Sequence, residues 1–255
     1  DVYKRQRLPP ARRSLTSRYV EAPPWGLAFR QGSPFMNFNI DLVFAAMPRV
    51  GEAALVNLRI AAIALALALV GGTLLTIVRS LKIRPLNMVI AVLLSFIRGT
   101  PILIQIFLVY YGLPAATGFR LAPEVAGIAA IALNSSFFIS EIMRGSLPEI
   151  DSGQVEASTA LGLSRPVIWA QIILPQLLRR ISPMLVNEGT VIVKGTALLA
   201  VITVVEALRV AQQIGAARFR PFEPIVAAAL MFLAINLTLA FVGWLQERRF
   251  AKERR

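Results

Sequence analysis

Glu156-Ala157-Ser158-Thr159-Ala160-Leu161-Gly162-Leu163-Ser164-Arg165-Pro166 is a polar, helix-punctuated stretch set between hydrophobic segments long enough to cross a bilayer. Upstream, Asp151 with Gln154 three positions later has the spacing of an N-cap and its capping-box partner, which predicts a short helix from about Ser152 to Leu161. Gly162 fits the left-handed stop that few other residues adopt without strain. Ser164 before Arg165 and Pro166 predicts a second helix start, because a first-turn proline loses no intrahelical bond. Pro175 is expected to break that helix near the membrane. The expected product is two short helices at an angle, projecting as a compact knob. The small residues Ala157, Ser158 and Ala160 would let such a knob enter a groove on a partner. An amphipathic connector lying on the membrane surface would have the same periodicity.

The surroundings are those of a membrane protein. Only 16% of the 255 residues are charged and 56% are hydrophobic, and the mean hydropathy is +0.65, too apolar for an ordinary soluble domain. Ile60 to Val78 and Ile225 to Leu245 contain no charged residue, and as helices they would measure roughly 28 to 32 Å, the thickness of a hydrocarbon core. Apolar runs read against loops give five spans, about 53–78, 86–112, 123–143, 182–203 and 224–246. The middle three carry interruptions: Arg98-Gly99-Thr100-Pro101, then Asn134-Ser135-Ser136, then Glu188 and Lys194. Lipid cannot satisfy such groups, so these three are expected to form the interior. The fold class expected is an all-α membrane protein of five transmembrane helices with a loop at 144–181 carrying the knob.

Charge sets the orientation. Arg79, Lys82, Arg84, Arg144, Arg165, Arg179, Arg180, Arg248, Arg249, Lys252, Arg254 and Arg255 fall on one side of the membrane. Arg49, Arg120, Arg209, Arg218 and Arg220 fall on the other. The richer side is expected to be cytoplasmic, with the 144–181 loop and the C-terminus, and the N-terminus outside. The formal charge of +13 is thus a membrane-flanking charge, and nucleic acid is not an expected partner. Residues 1–35 carry seven cations against Asp1 and Glu21, a net of +5, on the side where cations are disfavoured. They are expected to be a non-native leader, with a disordered basic arm as the alternative, and 36–255 the membrane domain.

Chemistry of its own is not expected. The chain has no Cys and no His, which removes thiol nucleophiles, imidazole bases and the commonest zinc ligands. No catalytic, metal or cofactor residues are assigned. Gly189-Thr190-Val191-Ile192-Val193-Lys194-Gly195-Thr196 faintly echoes a phosphate-binding loop, but Lys precedes Gly inside an apolar span, the wrong order.

Glu156-Ala157-x-x-Ala160-x-Gly162, followed by Ile172-Ile173-Leu174-Pro175, resembles the EAA loop of bacterial ABC-importer permeases. The resemblance extends over roughly residues 40 to 250 and is to the polar amino acid branch of that family. Its further marks are Phe96-Ile97-Arg98-Gly99-Thr100-Pro101, Leu133-Asn134-Ser135, Glu141-Ile142-Met143-Arg144-Gly145 and Phe219-Arg220-Pro221-Phe222-Glu223. It implies a permease subunit working in the bacterial inner membrane as a dimer, with itself or with a sister permease. Its implied partners are two cytoplasmic ATPase subunits, which would consume the ATP, and an extracytoplasmic substrate-binding protein. Glu156, Ala157, Ala160, Gly162, Leu163, Ser164 and Pro175 would form the ATPase-coupling loop, Glu156 anchoring the first helix and Gly162 setting the bend. One departure stands out: Val193-Lys194-Gly195-Thr196 lacks the acidic residue that members usually carry between Lys and Thr.

Arg98, Glu188 and Lys194 remain as pathway or bundle-interior charges. Glu188 and Lys194 lie six apart, about 240° around a helix, so each needs a partner elsewhere, and Arg98 is the expected partner of Glu188. A secondary transporter or channel working without an ATPase is the alternative reading. An intramembrane enzyme would need a nucleophile and base that the sequence does not display.

Overall fold

The computed structural model describes residues 38–253, so the expectation for residues 1–35 lies outside the described residues. Among the described residues ten α-helices follow one another: α1 (Ile40–Ser80), α2 (Arg84–Gly99), α3 (Ile102–Phe107), α4 (Leu113–Thr117), α5 (Pro123–Ser146), α6 (Ser152–Ala160), α7 (Arg165–Ile168), α8 (Leu174–Thr196), α9 (Ala207–Arg218) and α10 (Phe222–Glu253). Four helical stretches are long and apolar enough to cross a membrane, and the bent pair Arg84–Gly99 and Ile102–Thr117 makes a fifth when taken as one span. An all-helical, membrane-spanning chain is what bilayer physics demands of these apolar runs, since a helix satisfies its own backbone.

The first span differs from its sequence boundary. The apolar run begins at 53 because Arg49 and Glu52 interrupt it, but α1 is 41 residues long, roughly 60 Å. Its extra turns are amphipathic. Val43, Ala46 and Val50 are buried against Ala207, Val210 and Ala211 of α9 and Ala227 of α10, which holds the helix together past the end of the span. Asn39 caps it, its side chain accepting from the N–H groups of Asp41 and Leu42 at 2.9 and 3.3 Å.

The second span is broken rather than merely interrupted: α2 and the following helical stretch meet at 113°. Gly99-Thr100-Pro101 frees backbone carbonyls, and the Gln105 side chain takes them up. Its Nε2 donates to Ile97 O at 3.0 Å and to Thr100 O at 3.2 Å. Asn134 Nδ2 of α5 donates to Gln105 Oε1 at 2.9 Å, so the break is tied to the bundle centre. This is the internal satisfaction that irregular backbone needs at membrane depth.

Of the three spans expected inside, α5 and α8 are there, and the second is there in part: α3 buries Gln105 and Ile106, whereas α2 buries only Ile90, Leu94 and Ile97. The principal neighbour of α5 is α1. Close approach is the reason: a Cβ added at Gly72 would lie 2.7 Å from Ile139 Cγ2 and 3.1 Å from the Ser136 carbonyl oxygen. Small residues at helix interfaces are how membrane helices gain packing energy without a hydrophobic drive between them. The core around this seam includes Ile60, Ala64, Ile131, Ile192 and Leu199.

The fourth span brings the largest correction. Pro175 does not break the helix: Arg165–Ile202 is one continuous helical stretch of 38 residues. A π-helical turn at Trp169–Ile173 precedes the proline, with the Leu174 N–H donating to Trp169 O. The widened turn gives the ring room, so the helical stretch continues through Pro175 into α8.

Candidate functional site

The expected loop forms one short helix rather than two. α6 runs from Ser152 to Ala160, and Asp151 caps it, Gly153 N donating to Asp151 Oδ1 at 2.9 Å. Gln154 does not close a capping box. Its side-chain oxygen instead accepts from Gln176 Nε2 of α8 at 2.8 Å, a longer-range bond that sequence spacing does not announce. At the other end Gly162 has φ +75°. The Leu163 N–H donates to Ser158 O at 3.2 Å and the Gly162 N–H to Thr159 O at 3.0 Å, the paired bonds of a Schellman stop. Ser164 precedes the next helix as expected, but its hydroxyl caps nothing, and Ile168 N donates to the Ser164 carbonyl at 3.0 Å.

The faces of α6 are unequal. Ser158 is buried, its hydroxyl donating to Gln154 O at 2.5 Å. Glu156, Ala157 and Ala160 are exposed, and Glu156 makes no hydrogen bond or ion pair among the described residues. Leu161 is 80% exposed, an apolar side chain at the tip of a polar knob. Such a surface offers a short helix, a carboxylate and a leucine to a partner.

The base of the knob is braced. Arg180 of α8 pairs with Glu149 through Nε and Oε2 at 2.8 Å and donates to its carbonyl. Glu141 of α5 bonds both Arg79 of α1 and Arg144, the latter at 3.1 Å. Partly exposed ion pairs like Glu149–Arg180 are worth only about 0 to 1 kcal/mol, so their contribution is position rather than stability. Together with Gln154–Gln176 they tie the start of α8 to α6 and to the turn that precedes it.

The three singled-out charges are not brought together. Arg98 is exposed in the last turn of α2, where a cation suits the helix dipole, and it forms no ion pair with Glu188. Glu188 is buried against Ser135 of α5, and its Oε1 has no hydrogen-bond partner. Lys194 is exposed on another side of α8, in agreement with the 240° spacing, and lines a cavity of about 390 Å³ with Asn187 of α8 and Asn236 of α10. Next to it, a Cβ at Gly195 would meet only Ile102 Cδ1, at 3.9 Å, so packing does not require glycine there.

A second polar centre was not expected from the sequence. Asn57 Nδ2 of α1 donates to Thr196 Oγ1 at 2.8 Å and to Glu206 Oε2 at 2.9 Å. Asn57 Oδ1 accepts from Ala207 N at 3.1 Å. Glu206 is also the N-cap of α9, accepting from the N–H groups of Leu208 and Arg209 at 2.9 and 2.7 Å. All three side chains are buried. Burial raises the Glu206 carboxyl above its ordinary range, opposed by the hydrogen bonds from Asn57, Leu208 and Arg209. A signal was available: Asn57 stands in an apolar run, and Glu206 precedes a helical period as an N-cap would. Among the described residues no group of three or more acidic side chains is placed to hold a metal ion.

Residues 68–252 match the family described as the binding-protein-dependent transport system inner membrane component. The chain belongs to that family: it is a membrane-spanning permease component of a transport system. The arginine transport system permease protein ArtQ of Bacillus subtilis (strain 168) is 33% identical over 214 residues, covering 84% of this chain and 98% of the relative. The glutamine transport system permease protein GlnP of Escherichia coli (strain K12) is 39% identical over 215 residues, with the same coverage. Among solved structures, a chain of an amino acid ABC transporter crystallised with histidines superposes with a TM-score of 0.74 at 30% identity, over 84% of this chain and all of that one. An inward-facing MetNI methionine ABC transporter gives 0.56 at 19% identity, over 82% of this chain and 96% of that one, a likeness of fold.

Proposed function

We propose that this chain is the permease subunit of an ATP-driven importer of polar amino acids, with α6 as the element that docks on a separate ATPase. The observation that carries the reading is α6 itself: an exposed helix of nine residues, capped at both ends and braced to α8 by Gln154–Gln176 and Glu149–Arg180. A docking element must be free on its outer face and stiff at its base, and α6 is both. The substrate class rests on the names of the relatives, arginine and glutamine permeases, and of the transporter crystallised with histidines.

The mechanics follow from the helix connections. Two permease copies, or this chain and a sister permease, would each present α6 to one ATPase subunit. Closure of the ATPase pair would draw the two knobs together. Because Arg165–Ile202 is one helical stretch, a displacement at α6 is carried along α8 to Thr196, where it meets the Asn57–Glu206 centre. Rigid-body rocking of the spans between inward-open and outward-open forms is the switch this geometry supports. ATP is consumed by the partner, and an extracytoplasmic binding protein would deliver the amino acid to the face away from α6. The side bearing α6, with Arg79, Lys82, Arg84, Arg165 and Arg180, is the cytoplasmic one by the positive-inside rule.

Reconstitution into proteoliposomes with a candidate ATPase and a candidate binding protein tests the reading. Uptake of labelled glutamine, arginine or histidine is expected only with internal ATP and all partners. Uptake driven by an ion gradient with the permease alone would replace it with the secondary-transporter reading.

A further inference from the structure

Beneath α6 lies a cavity of about 790 Å³, bounded by the end of α1, the inner flank of α6 and the α7 turn. We propose that it holds one acyl chain of an anionic phospholipid, with the lipid's phosphate between Lys82 and Arg165. This goes beyond the transport reading and borrows from it only the statement that α1 is a membrane span.

The walls are those of an acyl-chain site. Ile77 comes from α1, Leu81 is the residue that follows that helix, Val155 comes from α6, and Trp169, Ile173 and Leu174 come from the stretch after that. The volume falls within the roughly 300 to 1,000 Å³ of small-molecule sites. Water gains little in such a space, whereas an alkyl chain gains the transfer energy of each methylene it buries.

Two cations line the same cavity. The side chains of Lys82 and Arg165 form no hydrogen bond or ion pair among the described residues, unlike those of Arg79, Arg144 and Arg180 nearby, which have carboxylate partners. Lys82 sits in a left-handed turn at φ 58° directly after α1, where the chain leaves the span. Unpaired cations beside an apolar slot at a bilayer surface are complementary to a lipid phosphate and its chain. The docking face of α6 is a different one: Glu156, Ala157 and Ala160 do not line the cavity, whereas Val155 and Thr159 do, and of the expected coupling-loop residues Leu163 alone lines it. A lipid held there would wedge α6 against α1 and set the stiffness of the knob.

Trp169 is a built-in reporter, since it lines the cavity and the only other tryptophans are Trp25 and Trp244. The full chain carrying Trp25→Phe and Trp244→Phe is titrated in detergent micelles with phosphatidylglycerol or phosphatidylcholine bearing brominated acyl chains, which quench tryptophan on contact. Phosphatidylglycerol is expected to reach half-quenching at a mole fraction roughly twenty-five-fold lower, about fivefold per cation. Lys82→Asn, which keeps a residue tolerant of positive φ, and Arg165→Gln should each remove about one such factor, and together abolish the preference. Equal quenching by the two lipids, or a preference that survives the double variant, would overturn the proposal. No ATPase is present in this experiment, so its outcome is independent of whether uptake is ATP-driven.

Discussion

Gln176 of α8 donates its side-chain amide to the Gln154 carbonyl oxygen of α6 at 2.8 Å, across 22 positions of sequence. It joins the proposed docking helix to the span that carries displacement into the membrane. An exposed neutral hydrogen bond contributes about 0.5 to 1.5 kcal/mol, too little to hold the fold but enough to bias a two-state element. Gln176→Ala is expected to lower amino acid uptake per ATP hydrolysed by about two- to tenfold, with thermal stability unchanged. Simultaneous measurement of ATPase and uptake in proteoliposomes checks this, and an unchanged ratio would remove the bond from the coupling path.

Gly162 at φ +75° has nothing within 4 Å of an added Cβ, so a substitution there is strained by backbone and not by crowding. Gly162→Val should cost about 1 to 2 kcal/mol locally, opening the Schellman stop and turning the tip. Membrane insertion is expected to be normal and uptake strongly reduced. Expression blots beside transport assays separate the two effects.

Gly72 presents the opposite case. A Cβ there collides with Ile139 at 2.7 Å, on a helix of ordinary φ. Gly72→Leu should destabilise the α1–α5 seam by about 1 to 3 kcal/mol through overpacking, visible as a lower melting temperature in detergent. Ile139→Ala in the same chain should recover part of the loss, and a double variant no better than the single one would contradict the contact.

Glu206 receives donors only, from Asn57, Leu208 and Arg209. Glu206→Gln replaces one acceptor oxygen by an NH2 group facing a donor and is expected to cost about 1 to 3 kcal/mol. The analogous loss for Asn57→Ala should not add to it in a double-mutant cycle. Additive losses measured by thermal unfolding would show that the two residues act independently.

The sequence conveyed what periodicity and caps can convey. Asp151 and Gly162 announced both ends of α6, because an acidic N-cap and a left-handed stop are local backbone requirements. The charge-free runs at 60–78 and 225–245 announced their spans for the same reason. Three features depended on tertiary context. The amphipathic front of α1 is helical because Val43 and Val50 meet α9 and α10, not because of composition. Pro175 is accommodated by a π-turn at Trp169–Ile173 that no residue spacing marks. The break at Gly99–Pro101 was legible, but its repair by Gln105 required knowing that Asn134 stands beside it. Arg98 and Glu188, linked by charge alone in the sequence, are not partners in the fold, since one faces outward and the other is packed on Ser135.

In the proposed function the outer face of α6 meets an ATPase in the cytoplasm. The chain contains no cysteine, so Ala160→Cys introduces a single thiol on that face. A short bifunctional reagent applied to the assembled transporter should link residue 160 to the ATPase subunit and stop ATP-driven uptake, with reducible linkers restoring it. A thiol labelled by an impermeant reagent from outside intact cells, with no link to the ATPase and uptake undisturbed, would contradict the account.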